Sequence, residues 1–172
     1  MSRSAYLLAR TSRGWRGSEL DLHDARDLDE VADVMRDSGD GGTVLLFLEE
    51  DDEYVAIVRV DGDEDPRGFI SDARCLDAPT VASAMFDGAL EVAAEISAMP
   101  EIEEVEDADD EEESEAPEIE PAGESGILSD LGVGEADLLG LCAEEGMLPA
   151  DVITAVSEKI GCLDELERVR GL

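Results

Sequence analysis

One histidine, three cysteines and 47 acidic residues are the groups with which this chain could do chemistry. His23 sits in the polar stretch Asp21–Arg26, with no second histidine and no patterned cysteine pair to complete a metal site or to serve as a base's partner. It reads as an exposed loop residue. Cys75, Cys142 and Cys162 are widely spaced and form no C-x-x-C pair, which fits reduced thiols in a cytosol. Without a histidine partner they are weak nucleophiles. Asp61, Asp63 and Asp65, with Asp72 eleven places after Asp61, follow a calcium-binding loop in part. The sixth position of such a loop requires glycine for its sharp turn, and here it is Pro66. The flanks read as strands, so the stretch is expected to be a solvated hairpin turn. The glycines at 39, 41 and 42 lack a strand before them and a Lys-Ser/Thr after them, so they read as a helix stop, not a phosphate loop. These residues nominate no catalytic, cofactor-binding or metal site, and no cofactor.

Charge says more. The formal net charge is −35 in 172 residues. Between Arg74 and Lys159 there is no lysine, arginine or histidine, and 25 of those 84 residues are Asp or Glu. Such a surface repels phosphate backbones and anionic membranes and attracts basic proteins. The one basic cluster is Arg3, Arg10, Arg13 and Arg16, ahead of the first acid at Glu19. Four arginines beside this net charge exert little pull on RNA, so they are expected to guard an edge strand and its turn. The start, MSRSAYLLARTSRGW, lacks the apolar core of a signal peptide. The longest apolar run, Val44–Leu48, falls far short of the roughly 18 residues a membrane span needs. The expectation is a cytoplasmic protein with no membrane partner.

The elements follow from periodicity and turn residues. Ser4–Ala9 and Trp15–Leu22 read as strands around a turn at Thr11–Gly14. Asp27 is a helix N-cap, with Glu30 placed to complete a capping box, and Leu28, Val31, Ala32 and Met35 share one face. Thr43–Leu48, Tyr54–Val60 and Arg67–Ser71 then read as a three-strand meander with turns at Glu49–Glu53 and Asp61–Pro66. This predicts an α+β fold, a β-β-α-β-β-β antiparallel sheet with packed helices, over residues 1–99. Thr80–Ala98 reads as a further helix. Residues 100–125 read as an acidic disordered linker: Glu101–Glu124 is low in complexity, and Asp107–Glu113 carries six acids around Ala108. Residues 126–172 read as a small helical segment, with Pro149 at a helix start, Val152, Ile153, Val156 and Ile160 on its face, and Gly161 at its end. Leu163, Leu166 and Val169 suggest one more short helix. With all six aromatics at or before Phe86, this tail could hardly fold alone. It must dock on the sheet, on another copy or on a partner.

Several stretches together resemble the actinobacterial tRNA adenosine deaminase-associated proteins. They are DLDEVADVMR at Asp27–Arg36, the strand pair Val44–Asp52 and Tyr54–Val60, VRVDGDEDPRGFISDA at Val58–Ala73, and the tail Leu138–Arg170. The resemblance implies association with the enzyme that converts the wobble adenosine of a tRNA to inosine, and carries no functional residues over. The chain is not itself such a deaminase. That chemistry needs zinc held by His and Cys with an H-x-E and a P-C-x-x-C motif, whereas His23 is followed by Asp24 and Ala25 and no P-C-x-x-C occurs. The expected function is a non-catalytic acidic accessory or regulatory protein. The expected partner is a protein, with that deaminase as the candidate the resemblance implies, and no direct nucleic-acid binding is expected. The alternative is a nucleic-acid mimic occupying basic sites on other proteins.

Overall fold

The computed structural model describes residues 3–22, 27–77, 79–86 and 121–171. In chain order the elements are β1 (Arg3–Thr11), β2 (Gly14–Glu19), α1 (Leu28–Ser38), β3 (Thr43–Glu50), β4 (Tyr54–Asp61) and β5 (Arg67–Ile70). A 3₁₀ turn at Ala73–Asp77 leads to α2 (Val81–Met85). After the undescribed residues come β6 (Ala122–Gly123), a 3₁₀ turn at Ser129–Leu131, α3 (Glu135–Ala143), α4 (Pro149–Ile160) and α5 (Leu163–Arg170). His23, most of the expected acidic linker and the helix expected beyond Phe86 lie outside the described residues.

The six strands form one sheet in the order β2-β1-β3-β4-β5-β6, antiparallel throughout. This is the predicted α+β architecture with one strand more. Ala122 and Gly123 fall where composition indicates linker, yet they pair with Ile70 and Phe69. Glu124 adds a backbone N–H to the Gly68 carbonyl at 2.9 Å.

An antiparallel sheet commonly leaves one face wet and then alternates apolar with polar residues. The centre of this sheet does not: Val44–Leu48 and Tyr54–Val60 are buried without a break. Alternate side chains must therefore meet apolar layers on both sides. On one side Val44, Leu46, Leu48, Tyr54, Ala56, Val58 and Val60 pack with Val31, Ala32 and Met35 of α1 and Ala82 and Met85 of α2. On the other, Leu45, Phe47, Val55, Ile57 and Phe69 pack with Ile127, Leu128, Leu138, Ile153, Val156 and Leu166. The C-terminal helices thus dock on the sheet of their own chain. Each large aliphatic group buried there stabilises by about 1.5–3 kcal/mol, and Tyr6, Phe47 and Phe69 supply the aromatic surface those helices lack.

Local chemistry ends the elements where the sequence indicates. The Asp27 carboxylate accepts from the Glu30 backbone N–H at 2.9 Å, capping α1. Pro149 opens α4 at its first turn, and Gly161 closes it at φ 85° in the left-handed region. Gly17 of β2 is required for close approach. A Cβ there would lie 2.7 Å from Val169 Cγ2 and 3.1 Å from the Glu165 carbonyl, so α5 could not settle on the sheet. Gly17→Ala should lower stability by about 1–3 kcal/mol in urea unfolding, and Val169→Ala should recover part of the loss.

The β3–β4 turn is strained. Glu53 N–H reaches the Glu50 carbonyl at 3.0 Å, with Asp51 and Asp52 between them at φ 52° and 58°. Two left-handed residues in succession define a type I′ turn, which favours Asn-Gly. Replacing Asp51-Asp52 by Asn-Gly should raise stability by about 1 kcal/mol, seen as an upward shift of a few degrees in Tm.

Candidate interaction surface

β4 carries one charge into its apolar run. Arg59 follows Val55 and Ile57 on the face toward the C-terminal helices, and it is only 4% exposed. A buried guanidinium must be paired and fully hydrogen-bonded. Arg59 Nε and Nη2 donate to Asp61 at 2.8 and 3.1 Å, Nη1 and Nη2 to Asp130 at 2.5 and 2.8 Å, and Nη1 also to the Ile127 carbonyl at 2.7 Å. Asp61 in turn accepts from Thr43 Oγ1 at 2.7 Å and Arg67 Nη2 at 2.7 Å. Arg67 also reaches Glu124 at 3.5 Å, next to β6. One cluster of ions therefore joins β3, β4 and β5 to the segment that begins the C-terminal half. Burial pushes the Asp61 carboxyl up, but the hydrogen bonds from Arg59, Thr43 and Arg67 outweigh it and hold it below the usual carboxylate range. The hydrogen bonds from Arg59, against a smaller opposing effect of burial, bring Asp130 down to about 2.

A second arginine fixes the other end. Arg170 of α5 donates to Thr154 Oγ1 at 2.8 Å and to the Ala150 carbonyl at 3.4 Å. Its guanidinium lies 4.9 Å from the Tyr6 ring centre and 3.9 Å from Glu49. Burial raises the Glu49 carboxyl, while Arg170 and the Tyr6 hydroxyl partly offset it.

Other arginines bind groups of their own chain nearer the surface. Arg16 Nη2 donates to the Ser38 carbonyl at the end of α1, at 2.7 Å, and Arg10 lies over Trp15. Arg36 binds Asp33 and the Glu64 carbonyl, Arg74 binds Asp72, and Arg168 binds Glu165. The basic cluster of the sequence is thus the β1–β2 hairpin at the sheet edge, with Arg16 tied to α1. Carboxylates dominate what is left facing solvent.

The structure does not bring the suggested calcium residues together as ligands. Asp61 is engaged by Arg59, Arg67 and Thr43, Asp72 by Arg74, and Asp63 and Asp65 are exposed in the turn. Among the described residues, no group of three or more His, Cys, Asp or Glu could hold a metal ion. The three cysteines are free. Burial first of all pushes the thiols of Cys75 and Cys162 up to about 11 and that of Cys142 to about 12, so all three are protonated at neutral pH. Sequence reasoning missed Arg59 and Asp130. The signal was an arginine inside YVAIVRV, where an otherwise apolar strand carries one charge that must find a partner.

A shallow cleft opens on the side of the sheet covered by the C-terminal helices. It has a volume of about 150 Å³ and lies between the β3–β4 turn, the end of β5 and the α3–α4 connection. Exposed Asp52, Glu53, Glu144 and Glu145 stand at its rim.

A six-stranded antiparallel sheet with apolar layers packed on both faces defines an α+β protein. Over residues 4–163 the chain matches the family described as Rv3753c-like tRNA adenosine deaminase-associated protein, and it belongs to that family. No curated protein and no solved structure matches it. No described helix is long and apolar enough to cross a membrane.

Arg59→Met should cost about 2–3 kcal/mol at pH 7, because it strands two carboxylates and a carbonyl, tempered by the solvent around Asp130. The sign with pH follows from the lowered carboxyls. Their contribution is present above the unfolded carboxylate pKa of about 4 and is lost as pH falls toward about 2. The stability gap between parent and variant, read by urea unfolding, should therefore narrow across that window.

Proposed function

We propose that this chain is a non-catalytic accessory protein of the cytoplasm that binds and regulates a tRNA adenosine deaminase. Family membership over residues 4–163 supplies the class of partner. The physical support is the disposition of charge. Seven arginines (Arg16, Arg36, Arg59, Arg67, Arg74, Arg168 and Arg170) hydrogen-bond or ion-pair with groups of their own chain. With a net charge of −35, little cationic surface remains to grip phosphate.

An enzyme that binds tRNA must present basic surface. An acidic protein docks on such surface, steered at long range and held once inside the screening length of about 8 Å at physiological salt. It would hold the enzyme soluble or compete with its RNA. The isolated chain should give no gel shift with tRNA at moderate salt. The deaminase should co-purify with it from cells, with affinity falling roughly tenfold or more between low and physiological ionic strength. Absence of co-purification, together with unchanged wobble inosine after deletion of the gene, would refute this function. Tight tRNA capture by the chain alone would refute it as well.

A further inference from the structure

We infer that the cleft between the β3–β4 turn and the α3–α4 connection receives the side chain of an arginine or lysine projecting from a basic protein partner. The inference rests on the accessory reading above for the partner's class, and on the cleft's own construction for its location.

The cleft has two chemically distinct parts. Its lining includes apolar Val55 of β4, Met147 ahead of α4 and Val152 of α4, beside buried Ser71 and the Arg74-paired Asp72. Its rim is anionic from two sides: Asp52 and Glu53 on the hairpin, Glu144 and Glu145 on the helical connection, all four exposed. Arginine and lysine have the matching order, an apolar stem that packs on hydrocarbon and a cationic head that stays at the polar edge. The volume of about 150 Å³ corresponds to about five waters, which suits one long side chain and excludes a folded element. The rim carboxylates do not converge on a point: among the described residues no acidic group of three could hold a metal ion. They suit a broad cation on a stem.

The end of α3 adds to the negative potential that two of these rim acids create. A helix C-terminus carries partial negative charge and is stabilised by bases in its last turn. α4 ends with Lys159, and α5 with Arg168 and Arg170. α3 ends with no base and runs directly into Glu144 and Glu145. The two acids and the helix end repel one another beside the cleft. Among the described residues, Arg74 is bound to the lining carboxylate Asp72 by its Nε and its terminal nitrogen. A cation supplied from outside relieves this repulsion, whereas an anionic or neutral side chain does not.

Titration of the ¹⁵N-labelled full chain with acetyl-arginine amide, and with acetyl-norleucine amide as the neutral control, reads the site directly. The arginine probe should shift the amide signals of Glu53, Ser71, Gly146 and Met147 before others, and the neutral probe should not. The variant Glu53→Gln/Glu144→Gln/Glu145→Gln changes only exposed groups and should weaken the arginine probe roughly tenfold. The control Glu158→Gln/Asp164→Asn/Glu167→Gln removes three exposed charges elsewhere and should change it less than about twofold. Shifts spread evenly over the acidic surface, or equal weakening by both variants, would overturn the inference. The deaminase separates it from the accessory reading. Binding of the deaminase that the cleft variant leaves unchanged would sink the cleft as the dock and spare the accessory role. A cleft that still takes arginine when the deaminase does not bind would stand while the accessory role falls.

Discussion

Arg59 places a guanidinium inside an apolar layer, and the architecture around it is what makes that tolerable. Removing a charge from water is penalised by several kcal/mol unless good hydrogen bonds replace the solvent. Here two carboxylates and a carbonyl do so, and they come from two distant parts of the chain: Asp61 from the same strand, Asp130 and Ile127 from about 70 residues beyond it. The C-terminal segment must therefore return to this corner of the sheet in one register. Hydrophobic burial of Ile153, Val156 and Leu166 supplies the main driving force for docking. That force is non-directional, and the ionic cluster adds direction.

At the far end, Arg170 packs on Tyr6 and beside Glu49 while bonding the first turns of α4. The two arginines bracket the helical layer, and both use the sheet as their platform. An inward-turned arginine has a second effect. Arg59 and Arg170, whose side chains are only 5% and 13% exposed, add little positive charge to the exterior, where exposed acids outnumber exposed bases among the described residues. Internal stability and outward electrostatics are two results of the same placement of guanidinium groups.

Much of this was legible along the chain. Asp27 as a cap, Pro149 as a helix opener and Gly161 as a helix stop are short-range signals, decided by backbone groups within a few residues. The meander of β3, β4 and β5 follows from apolar runs broken by acidic turns. β6 was not legible: Ala122 and Gly123 have no strand character and are held by the edge of β5. Nor was the ion cluster. Arg59 in an apolar strand announces a partner but not which of 47 acids it is, because Asp130 is 71 positions away. The cleft is harder still, since its rim joins a hairpin turn to a helix connection some 90 residues later.

By itself the sequence determined the sign of the surface, the antiparallel order of the central strands and the need of an aromatic-free tail to find an apolar partner, because charge, periodicity and composition are summed locally. Only the tertiary structure decided that the tail's partner is the second face of its own sheet, that Asp130 answers Arg59, and that four carboxylates from two distant segments rim one cleft. Those are meetings between residues distant along the chain, chosen by shape and by the penalty for burying a charge unpaired, and neither is written in any one stretch of residues.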